Sequence, residues 1–138
     1  MKPALTHVAL AVRDVARTIA FYSRHAQLHV VHDRTDHGVR VAWLSEVEHD
    51  PRFVLVCIEQ HDAHAPAHSS MLHLGFALGS RDEVDAAATM AHAENILVSE
   101  PLYAGPVVGY FCIVADPDGN QVEFSYGQPI DPRALPPA

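Results

Sequence analysis

Cysteine is scarce in this chain, with only Cys57 and Cys112 among 138 residues. Two cysteines cannot build a disulfide framework. Positive charge is also short: nine Lys plus Arg face seventeen Asp plus Glu, for a formal net charge of -8. With no basic surplus to displace counterions, a phosphate-backbone partner is disfavoured and no nucleic acid is expected. No apolar run approaches the ~20 residues that a membrane-spanning helix needs, so no membrane partner is expected. The opening Met1-Lys2-Pro3-Ala4 lacks the form of a signal peptide, which makes the cytoplasm the expected location. There is no phosphate-cradling GxGxxG or P-loop, and Ser69-Ser70 comes without a nucleophile elbow or triad.

What is present is a chain that can build a core, with 49% hydrophobic and 19% charged residues. Histidine is unusually frequent, at 11 residues. It is the commonest side-chain metal ligand and titrates nearest neutral pH. Position has to sort these histidines. His61, His64 and His68 lie in the polar stretch QHDAHAPAHSS and read as solvated loop residues.

The chain opens with an apolar, β-branched run, THVALAV at 6–12, which reads as a buried strand. Asp14 is a plausible N-cap for a helix through VARTIAFYSRHA, with Val15, Ile19, Tyr22 and Ala26 on its apolar stripe. Strand-like runs follow at 28–34 and 38–44, joined through Thr35-Asp36-His37-Gly38, and a fourth run spans 52–59. The same order then begins again. LHLGFAL at 72–78 is the second opening strand, and Ser80-Arg81-Asp82-Glu83 is a capping box for a helix through VDAAATMAHAE. Strands are expected near 96–100, 108–115 and 120–126, with Asp116-Pro117-Asp118-Gly119-Asn120 as the turn between the last two. The tail, QPIDPRALPPA, is proline-rich and reads as extended.

The sequence is therefore one βαβββ unit written twice: module 1 over about 5–60, a linker over 61–71, module 2 over 72–127 and a tail over 128–138. THVALAV matches LHLGFAL, and Arg13-Asp14 matches Arg81-Asp82, so His7 and His73 occupy equivalent places. Glu123 lies within an otherwise apolar strand, between Val122 and Phe124. A carboxylate on the inner face of a sheet costs several kcal/mol unless it is paired or bound to a metal. Two imidazoles and one carboxylate can occupy one face of a metal ion and leave its other positions open.

Paired βαβββ units, a histidine on each first strand and a closing DPDGNQVEF resemble the vicinal oxygen chelate superfamily, which includes glyoxalases, bleomycin-resistance proteins and extradiol dioxygenases. The resemblance spans roughly residues 5–127. It implies an α+β fold in which the two βαβββ modules form a cupped mixed sheet, within a single domain. It also implies that His7, His73 and Glu123 hold a divalent metal, Fe2+ first, with Mn2+, Ni2+ or Zn2+ as alternatives. The partners it implies are a small organic substrate, chelated through neighbouring oxygens, and a second copy of the chain in a homodimer.

Departures from the family pattern narrow the expectation. The fourth ligand of glyoxalase I falls at Val56, or at Cys57 with a one-residue shift, and Glu59 lies an odd number of residues away. The three-ligand set favours a dioxygenase-like enzyme over an isomerase or lyase. Against ordinary ring cleavage, the tyrosine expected three residues before Asp116-Pro117 is Ile113. Tyr110 or Tyr103 could substitute, and Tyr110 is taken as the candidate catalytic residue. A metal-free ligand-binding protein of the bleomycin-resistance type is the alternative reading. Trp43, Phe53, Phe76 and Phe111 are candidates to line a substrate cavity or to fill the core.

Overall fold

The computed structural model describes residues 1–63 and 72–137. His64, His68 and Ser69-Ser70 lie outside the described residues. The chain divides into two units, Met1–Pro66 and Ala67–Ala138. No helix among the described residues is long and apolar enough to cross a membrane.

The first unit runs β1 (His7–Val12), α1 (Val15–Ala26), β2 (His29–Asp36), β3 (Val39–Ser45) and β4 (Val54–Glu59). Its sheet has the order β1-β4-β3-β2, with β1 parallel to β4 and the remaining pairs antiparallel. Asp14 caps α1 as expected, its carboxylate accepting from the Arg17 amide at 3.1 Å. Thr18, rather than Ile19, completes the helix's buried stripe, with Val15, Phe21 and Tyr22. Burial of that hydroxyl is tolerated because it donates to the Asp14 carbonyl at 3.1 Å. The β2–β3 hairpin turns through His37 and Gly38, both at positive φ (50° and 82°), the pairing a two-residue type I′ turn requires.

The second unit repeats the plan: β5 (His73–Ala77), α2 (Arg81–Ala93), β6 (Leu97–Tyr103), β7 (Tyr110–Ala115) and β8 (Gln121–Tyr126). Its order is β5-β8-β7-β6, again with the first and last strands parallel. Ser80 caps α2 by accepting from the Glu83 amide at 3.2 Å. The reciprocal half of the box is displaced by one residue, because Glu83 accepts from the Gly79 amide at 2.7 Å instead of from Ser80. Strand β6 runs further than the expected 96–100, through Pro101, and its pairing with β7 shifts register on either side of Ser99. The tail contains one short 3-10 turn, Pro132–Ala134. The architecture is α+β, each unit a four-stranded mixed sheet with its own helix.

Candidate metal centre

Alternation along the strands decides what each sheet face carries. In the first unit His7 pairs with Val54 and Ala9 with Val56, which puts these four on one face. Leu10 pairs with Cys57 one residue on, so Val12, Leu55 and Cys57 belong to the opposite face, where all three are buried and α1 packs. This register answers the choice between Val56 and Cys57: Val56 shares the His7 face and Cys57 does not. Glu59 lies on the helix face and is committed there, since its Oε2 accepts from the Val15 amide at the start of α1 at 3.0 Å. His7 is exposed, and its Nδ1 lies 3.0 Å from the Thr6 hydroxyl, leaving Nε2 as the ring nitrogen for a further ligand.

In the second unit the same alternation brings two of the three expected ligands together. His73 and Glu123 lie on adjacent parallel strands, with Gly75 directly opposite Glu123. His73 Nε2 is 3.5 Å from Glu123 Oε2. Two donor atoms each ~2.1 Å from one ion are separated by roughly 3 Å, so this spacing suits a shared metal. Glu123 is only 5% exposed, whereas the His73 side chain is 36% exposed. The carboxylate is thus anchored while the imidazole borders solvent. The space at Gly75 beside the pair is open: a Cβ built there would meet nothing within 4 Å. Imidazole plus carboxylate beside open space is a donor set that fits a first-row divalent ion. Among the described residues, no three His, Cys, Asp or Glu side chains are grouped so as to hold a metal.

The structure does not bring Tyr110 to this face. Ile113 is the residue opposite Glu123, and Tyr110 is an odd number of residues from it on an uninterrupted strand. Tyr110 therefore points to α2, where its hydroxyl donates to Asp85 Oδ1 at 2.6 Å. That carboxylate also raises the phenol's pKa above its ordinary value. Tyr103, paired with Tyr110, shares its face, and the Arg81 guanidinium lies 5.0 Å from both rings. Cys112 is likewise on the helix side, its Sγ 3.9 Å from the Val84 carbonyl. Burial, with Asp85, Glu123 and Glu100 adding negative charge, pushes its thiol up to about 11. Of the four aromatic candidates, Trp43 shares the His7 face and Phe111 the Glu123 face. Phe76 stacks on Phe124 with centroids 5.8 Å apart, and Phe53 precedes β4 with 43% exposure.

The fold is shared with known proteins. The sequence model of the Glyoxalase/Bleomycin resistance protein/Dioxygenase superfamily matches residues 4–124. The chain belongs to this superfamily. The uncharacterized protein PA2024 of Pseudomonas aeruginosa is 42% identical over 138 residues, covering 99% of both chains. A possible glyoxalase from Bacillus cereus superposes with a TM-score of 0.69 at 21% identity, covering 88% of this chain and 97% of that one. A mutant form of the fosfomycin resistance protein FosX from Listeria monocytogenes superposes with a TM-score of 0.73 at 15% identity, covering 95% and 94%. That FosX structure is a complex with Mn(II) and 1S,2S-dihydroxypropylphosphonic acid.

Sequence reasoning missed two features of these superfamily faces. Gly75 carried a usable signal, since an isolated glycine inside a strand often marks a close approach. His32 and Arg34, which flank Trp43, carried none, because their orientation depends on a bulge in β2.

Proposed function

We propose that this chain is a metal-dependent enzyme that binds a small organic substrate through two neighbouring oxygens at a divalent ion. His73 and Glu123 are two of the protein ligands, and His7 is the third, contributed by the same chain or by a second copy in a homodimer. The observation that carries this reading is the buried Glu123 carboxylate 3.5 Å from the His73 imidazole on one sheet face, with open space at the neighbouring Gly75. Glu123 supplies the negative charge, and its burial fixes the carboxylate before substrate arrives. His73 supplies a neutral donor at the solvent border. A bound divalent ion in such a set supplies Lewis-acid polarisation of the substrate's oxygens.

The residues around the pair bear on the reaction by what they cannot do. Ile113 opposite Glu123 can neither give nor take a proton, and the Tyr110 hydroxyl is engaged by Asp85 on the other face. These positions therefore offer no proton donor of the kind that ring cleavage by dioxygen uses, which speaks against the expected dioxygenase. Val56 on the His7 face also leaves no carboxylate to move a substrate proton in the manner of glyoxalase I.

Titration of chelator-stripped protein with Mn2+ tests the ligand set. One ion per chain is expected, with affinity falling at least about a hundredfold in each of His7→Ala, His73→Ala and Glu123→Ala, more than loss of an outer hydrogen bond typically costs. An unchanged affinity in His7→Ala would remove that residue from the set. No binding by the wild type would favour the metal-free binding protein instead.

A further inference from the structure

The first unit carries a cluster that the metal reading leaves unused. In β2, Val30 pairs with Leu44 but His32 pairs with Trp43, so Val31 is an extra, bulged residue. The bulge turns His32 and Arg34 onto the sheet face that carries Trp43 and His7, where regular alternation from Val30 would have placed Val31. The His32 ring lies 4.9 Å from the Trp43 ring, and the Arg34 guanidinium carbon 5.7 Å from it. Trp43 is the sole tryptophan and is 37% exposed. Arg34 Nε is held by Asp36 Oδ2 at 2.6 Å, and among the described residues its terminal nitrogens make no further hydrogen bond.

The floor beside Trp43 is low and apolar. Trp43, Val56 and Ala9 lie at one level on three successive strands, and His7 is one pleat repeat along from Ala9. Strand spacing and rise place the Cα atoms of Trp43 and His7 about 12 Å apart, a span that one substituted ring between the two side chains can fill.

We propose that Trp43, Arg34 and His32 form the subsite that selects the substrate as a planar organic anion, an aromatic or conjugated carboxylate. Its ring lies against the indole and its charge meets the terminal nitrogens of Arg34. A chain of net charge -8 repels anions at long range, so capturing one requires a local cation aimed at the ligand. The inference rests on the preceding reading only in taking the His7 face as the substrate face.

Because Trp43 is the sole tryptophan, its fluorescence reports the subsite directly. Three probes separate shape from charge: benzoate, benzamide (planar, uncharged) and cyclohexanecarboxylate (charged, not planar). Benzoate is expected to give a saturable change, with the other two at least about tenfold weaker. Arg34→Gln weakens benzoate about tenfold through loss of a charge-assisted contact, and Arg34→Lys recovers part of it. By calorimetry, Trp43→Leu abolishes benzoate binding. Equal responses to the three probes, a benzoate response that never saturates, or an unaltered Arg34→Gln variant would overturn the subsite. Running the titration on metal-stripped and Mn2+-loaded protein separates the two readings. A benzoate response that weakens about tenfold in Arg34→Gln supports the subsite even in protein that binds no metal. Stoichiometric metal without any benzoate response overturns the subsite alone.

Discussion

Glu123 is a carboxylate set between Val122 and Phe124, all three buried, and it turns to the face its neighbours avoid. Alternation on β8 sends Val122 and Phe124 towards α2 and leaves the carboxylate with His73. This much was legible in the sequence, because the repeat matched His73 to His7 and an acid inside an apolar strand asks for a partner. The same alternation places Tyr110, at an odd offset from Ile113, with Asp85. Cys112 follows the same rule, and its chemistry follows from its burial. With the thiol pushed up to about 11, it stays protonated through the neutral range. Only about one molecule in a hundred carries the reactive thiolate at pH 9. Alkylation of Cys112 by iodoacetamide, followed by mass spectrometry, is expected to be slow in the folded protein at pH 8–9 and to accelerate towards pH 11. Rapid modification at pH 8 would rule this out.

Turns and bulges set the register that puts these residues where they act. The loop from β7 to β8 is closed by Asp116, whose Oδ1 accepts from the Asp118 and Asn120 amides at 2.9 Å each, and whose Oδ2 accepts from Asn120 Nδ2 at 2.9 Å. Gly119 supplies the positive φ, 85°, that the turn needs. Asp116, Asp118 and Asn120 are all buried, so the turn behaves as an internal polar plug rather than a solvated loop. Asp116→Ala leaves two buried amides and a carboxamide without their acceptor, and is expected to destabilise the protein by about 2–4 kcal/mol. Urea unfolding measures this, and a change below about 0.5 kcal/mol would show that the plug is dispensable. The position of this turn was legible from its Pro, Gly and Asn. The bulge at Val31 was not, because HVVHDR carries no glycine or proline to mark it, and only pairing with β3 shows that His32 meets Trp43.

Across the whole chain, the internal repeat was the strongest signal. Two equivalent openings, two capped helices and a closing turn predicted both βαβββ units, and the superfamily match over residues 4–124 agrees with that plan. The proposed subsite at Arg34 was not legible, because the direction of that side chain is fixed by tertiary pairing and not by local pattern. Everything proposed for the second unit depends on Glu123 being buried in order to hold a metal with His73. Elemental analysis of protein purified without a tag or chelator, wild type beside Glu123→Ala, puts that to the test without any knowledge of the substrate. Close to one transition-metal ion per chain is expected in the wild type, with a steep loss in the variant. Wild-type protein that remains empty after incubation with each of Fe2+, Mn2+, Ni2+ and Zn2+, or a variant that keeps its metal, would refute the metal centre.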